Sequence, residues 1–150
     1  MHPELIHQWF DQYRIGIYRF ALSIRKDTHL AEDVLQETFL RLLNGSSVPA
    51  PGKEQAFLYK IARNLCYDIL RKRKRESGEP PNSPAPAETR WEFIELIAPL
   101  PQKDRDIVSL KILGGLTHAE IAKILGITTA GAKKRYERAI QKLREEMEVS

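Results

Sequence analysis

Apolar residues recur along the chain at three- and four-residue spacing, and nowhere with the strict alternation of a strand. The pattern predicts helices at 4–26, 28–44, 54–75, 90–98, 102–114, 117–125 and 128–146, an all-α chain. In 28–44 the inward face is Ala31, Val34, Leu35, Thr38 and Leu42, with Asp33, Gln36, Glu37 and Leu40 opposite. In 54–75 the stripe is Leu58, Ile61, Ala62, Leu65 and Ile69, with Lys60, Arg63, Asn64, Tyr67 and Arg71 opposite. In 128–146, Ala132, Tyr136, Ala139, Ile140 and Leu143 lie on one side, and Lys133, Lys134, Glu137 and Arg138 on the other. Cys66 is expected on the flank of its helix as a small apolar residue.

Punctuation between these segments is equally readable. Thr117 followed three residues later by Glu120 is a capping box, so a helix starts at His118. Gly126 ends it, since a left-handed C-terminal residue carries no Cβ penalty when it is glycine. Thr128 or Thr129 then caps the next helix. Asn44 and Gly45 close the 28–44 helix, and Pro49, Pro51 and Gly52 hold the following loop open. Residues 76–90 contain four prolines and almost nothing apolar, a composition that predicts an extended, mobile linker. Two small helical units follow, 1–75 and 91–150, joined by 76–90.

Charge gives this organisation a purpose. Residues 1–75 carry 13 Lys and Arg against 8 Asp and Glu, and residues 129–144 carry six against one. Two separate cationic footprints point to a polyanion partner. A helix–turn–helix whose second helix is cationic suits the DNA major groove, although a solvated helical hairpin shares its pattern. Cations around an amide and an aromatic ring, as at Lys60, Arg63, Asn64, Tyr67 and Arg71, suit an unpaired strand. A charged solvent face complementing the helix dipole would read the same way. Leu40 among Asp33, Gln36 and Glu37 reads either as a protein-docking surface or as one exposed leucine.

Chemistry of other kinds is not suggested. The four histidines are scattered without metal-ligand spacing to Cys66. There is no glycine-rich phosphate loop and no nucleophile in a motif context, so neither an enzyme nor a bound cofactor is expected. A single cysteine allows no internal disulfide, and no apolar run approaches the roughly 20 residues of a membrane span. No signal-peptide pattern is evident at the start. A cytoplasmic chain is expected.

Three segments, AEDVLQETFLRLL at 31–43, FLYKIARNLCYDILRKRKR at 57–75 and LTHAEIAKILGITTAGAKKRYERAIQKLR at 116–144, resemble the extracytoplasmic-function group of bacterial sigma factors. The resemblance implies regions 2.2, 2.3–2.4 and 4.2 in that order, and thus a sigma domain 2, a linker and a sigma domain 4. It implies that Asp33, Gln36 and Glu37, with Leu40 at the centre of their face, dock on core RNA polymerase. It further implies that Asn64 lies near a flipped base of the −10 element, that the loop at 45–55 shapes the pocket for that base, and that Lys133, Lys134, Glu137 and Arg138 face the −35 element. An anti-sigma factor is an implied partner. Phe57 stands where the family often has Trp, and Lys134 where Ser is common. Gly131 and Ala132 replace a frequent Thr-Val pair, which predicts a looser start to the last helix. The competing reading is a helix–turn–helix regulator with no polymerase role.

Overall fold

The fold was established from a computed structural model, which describes residues 3–45, 49–75 and 84–149. Among these residues there are seven α-helices, one short 3-10 turn and no strand. The helices are α1 (Pro3–Ile24), α2 (Thr28–Asn44), α3 (Glu54–Arg75), α4 (Trp91–Ile97), α5 (Gln102–Ile112), α6 (His118–Leu125) and α7 (Thr129–Val149), with the 3-10 turn at Ala87–Thr89.

Helix α1 buries Ile6, Trp9, Tyr13, Ile17, Tyr18, Phe20, Ala21, Leu22 and Ile24, residues spread over more than one of its faces. It therefore needs neighbours on more than one side. It packs against α2 and α3 in the first half of the chain, and against α4 and α5 in the second. Phe10 meets Phe39 of α2 edge-on at 5.1 Å between ring centroids, and Phe20 meets Tyr59 of α3 at 5.5 Å. These are favoured aromatic geometries. The buried apolar side chains form one continuous cluster through both halves of the molecule.

The α1–α2 corner is fixed by Asp27. Its carboxylate accepts from the Leu30 amide at 2.9 Å and from Arg73 at 2.6 Å. Arg73 belongs to the run of five cations at 71–75, yet it is turned inward while Arg71, Lys72, Lys74 and Arg75 are exposed. It is a strut across the first unit rather than part of an open basic face.

Two expectations of the sequence need amendment. The linker was expected to run extended through residue 90. Its 76–83 portion lies outside the described residues, but Ala87–Thr89 forms a turn packed on α1, with Thr89 buried. Cys66 is not on a flank but fully enclosed, and burial pushes its thiol pKa well up.

Candidate nucleic-acid and polymerase interfaces

The helix–turn–helix is assembled from local bonds. Thr117 Oγ1 accepts from the Glu120 amide at 3.1 Å, and the Glu120 carboxylate accepts from the Thr117 amide at 3.0 Å, which closes the capping box. Gly126 takes φ of 70°, its amide returning to the Ala122 carbonyl. Thr128 caps α7 by accepting from the Gly131 amide at 3.0 Å. The start of α7 is thus capped across the Gly-Ala pair. A Cβ at 131 would lie 2.9 Å from the capping oxygen, so glycine suits this cap.

Ile121, Ala122, Ala132, Ala139 and Leu143 lock α6 to α7. That packing leaves Lys133, Lys134, Glu137 and Arg138 together on the outer face, all four exposed. Beside them His118 packs its ring on Tyr136 at 5.7 Å. Desolvation, with the Lys111 and Lys133 cations nearby, lowers the histidine's pKa and favours the neutral imidazole.

The expected docking face on α2 proves broader than its sequence pattern suggested. Asp33 is half exposed and pairs with His29 at 3.2 Å, and Glu37 lies 3.7 Å from Arg41. Leu40 is 48% exposed and Leu43 55%, so Leu40 is not a solitary surface leucine. Both line a groove of about 510 Å³ with Pro3, Ile6, Phe10 and Phe39, between α1 and α2. Gln36 borders this groove. An apolar trough bordered by His7 and Gln36 is chemically suited to a protein partner.

The α3 face is divided. Lys60, Asn64 and Arg71 are exposed. Arg63, Asn64, Tyr67, Asp68 and Arg71 line a polar cleft of about 410 Å³, and Arg71 pairs with Asp68. Arg63 and Tyr67, however, are only partly exposed, where the sequence pattern implied an open face. The Arg63 guanidinium sits over the Tyr67 ring at 4.9 Å and lies 3.4 Å from a carboxylate oxygen of Asp106 on α5. Tyr67 donates to the same oxygen at 2.5 Å. Gln102, also on α5, donates to the Tyr67 hydroxyl at 2.8 Å. Sequence reasoning missed Asp106 and Gln102 altogether. The expected pocket-shaping loop at 45–55 is only partly accessible to description, since 46–48 lie outside the described residues.

Residues 9–76 match the family model for sigma-70 region 2, and residues 90–143 that for sigma-70 region 4. The chain is 32% identical over 151 residues to the ECF RNA polymerase sigma factor SigM of Bacillus subtilis, spanning 93% of each chain. The chain belongs to the extracytoplasmic-function sigma factors. Two solved structures share its fold. The sigma factor RpoE of Bartonella quintana, solved with the anti-sigma factor NepR, superposes with a TM-score of 0.75 at 24% identity, covering 96% of this chain and 97% of that one. CnrH, solved with the cytosolic domain of CnrY, gives 0.71 at 20% identity, covering 99% and 91%. Membership makes the chain an alternative sigma factor, acting in transcription initiation. Among the described residues no helix is long and apolar enough to cross a membrane, and no three His, Cys, Asp or Glu side chains are grouped to hold a metal ion.

Proposed function

We propose that this sigma factor divides its work between the two units bounded by residues 1–75 and 91–150, with 76–90 connecting them. The α2 face of Asp33, Gln36, Glu37 and Leu40, continued by the apolar groove, docks on core RNA polymerase. Helix α7 enters the major groove of the −35 element. The α3 residues Lys60, Arg63, Asn64, Tyr67 and Arg71 hold the opened −10 strand, with cations on phosphate, Asn64 on a base edge and the Tyr67 ring as a stacking platform. The extruded base costs a few kcal/mol of lost stacking, which contacts in the cleft offset.

The observation that carries this reading is the coexistence of three chemically distinct surfaces on one chain. A repressor with the same helix–turn–helix has no use for an apolar groove between α1 and α2 or an amide–aromatic–cation face on α3. The cytoplasm, where polymerase works, is the compartment that suits such a protein. An anti-sigma partner fits as well, since the structural relative RpoE was solved with one.

Run-off transcription with core polymerase over a genomic library tests the assignment and yields the promoter at the same time. No promoter-specific transcript would refute it and leave the regulator reading. Within this frame Arg138→Ala weakens binding to the −35 duplex by about 1–3 kcal/mol, as expected for a lost base contact. Equal loss on promoter and scrambled duplex would restrict Arg138 to phosphate.

A further inference from the structure

His118 is the first residue of α6, yet its ring leans on Tyr136 of α7, beside the side chains assigned above to the −35 element. The charged groups that act on it come from two other helices, Lys111 on α5 and Lys133 and Glu137 on α7. On its own helix the Glu120 carboxylate is committed to the Thr117 amide. Lys111 is committed as well, donating to the Leu116 carbonyl at 3.2 Å. Nδ1 of His118 is sealed from solvent and has no hydrogen-bond partner among the described residues. Nε2 is therefore the nitrogen through which this residue can meet a ligand. An imidazole with two lysines about it, on the rim of a duplex-reading face, suits a single phosphate group.

We propose that His118 is a conditional phosphate contact: it takes up a proton as the −35 duplex docks on α7, so that binding tightens when pH falls. The inference rests on the −35 role proposed for that helix. In a helix–turn–helix the first helix crosses the DNA backbone while the second enters the groove, which brings the start of α6 to a phosphate.

In the free protein the proton is disfavoured. Desolvation first, then the Lys111 and Lys133 cations, hold the imidazole below its ordinary 6.5, with Glu137 opposing them. A protonated ring would also leave Nδ1–H without an acceptor. A phosphate oxygen against Nε2 shifts the balance, since a bonded anion favours the imidazolium. Lys133 and Arg138 carry their charge throughout, whereas His118 acquires its own in the complex. Because the pKa is higher in the complex than in the free chain, the added affinity is complete below the free value. It is lost as pH rises through the bound one.

The test measures fluorescence anisotropy with the full chain and the −35 duplex recovered by run-off transcription, at about pH 6 and about pH 8 and over a range of salt. The original chain binds about three- to tenfold tighter at the lower pH, each unit of pKa gained in the complex being worth a factor of ten. Its log–log salt slope steepens by about one on acidification, the mark of one more phosphate neutralised. His118→Gln loses both responses. His118→Lys binds tightly with the steep slope at either pH, and because lysine restores the charge but not the ring, this rescue separates charge from packing on Tyr136. His118→Asn replaces the glutamine variant if circular dichroism shows that one misfolded. A pH response that survives in His118→Gln would overturn the proposal, as would a salt slope in the original chain that is the same at both pH values. A mixed-sequence duplex repeats the comparison, since a phosphate contact carries no sequence information. An empty run-off experiment would therefore refute the promoter role and leave the phosphate contact standing or falling on that duplex.

Discussion

Asp33→Lys combined with Glu37→Lys is expected to abolish co-purification with core RNA polymerase while leaving the melting temperature within a few degrees of the original. The separation of effects follows from exposure. Both carboxylates stand on the outer face of α2, in pairs with His29 and Arg41 in which every side chain is about half exposed. Exposed pairs of this sort contribute about 0–1 kcal/mol each, so their loss does not threaten the fold. Arg73 lies 4.0 Å from Asp33, but its main partner is Asp27, which the substitutions leave untouched. At an interface the balance is different, because like charges brought together across a docking surface cost several kcal/mol. Undiminished capture of core enzyme by the doubly reversed protein would remove α2 as the docking helix. Leu40→Ala should weaken capture more modestly, through lost apolar contact alone.

The largest effect on stability is expected at Asp27. Asp27→Ala removes the N-cap of α2 and leaves Arg73, only 15% exposed, with Asp33 at 4.0 Å as its remaining carboxylate. Losing one partner of a buried ion pair costs about 3–5 kcal/mol, the range expected here in urea denaturation. The acid dependence has a definite sign. Burial alone would raise the Asp27 carboxyl, but the bonds from the Leu30 amide and Arg73 outweigh it and hold its pKa below the ordinary 3.8. The stabilising contribution is therefore complete above that ordinary value and disappears as pH falls through the lowered one. Asp27→Asn keeps a capping oxygen and discards the charge, so its deficit against the original chain should narrow between neutral pH and about pH 3. A deficit that stays constant over that interval would assign the effect to packing instead.

What could be read from sequence was whatever neighbours in the chain decide. Thr117, Glu120, Gly126 and Thr128 act within a few residues of one another, and the turn they build is the one expected. The inward stripes of α2 and α3 were legible in part for the same reason, although in α3 it is Tyr59 and Cys66, not Ile61 and Ile69, that complete the buried face. The α3–α5 seam was hidden because Tyr67 and Asp106 are 39 residues apart and Tyr59 and Leu113 are 54 apart. Periodicity identifies a polar face but not what covers it. Only the repeat of Gln55, Tyr59, Arg63 and Tyr67 hinted that one polar ridge had a long partner. Similarly, five consecutive cations at 71–75 look alike in sequence, and it takes Asp27, 46 residues earlier, to single out Arg73. The groove beside Leu40 escaped notice because half of its lining comes from α1.

The seam bears on how such proteins can be recombined. Grafting residues 116–149 of a relative onto this chain would exchange the duplex-reading helix and keep α5, with Gln102 and Asp106 still facing Arg63 and Tyr67. Grafting from residue 91 onward would replace α5 as well, and the chimera would inherit a C-terminal half that has never been matched to this α3. Promoter preference and the resting conformation are then separable modules only when the crossover falls between α5 and α6.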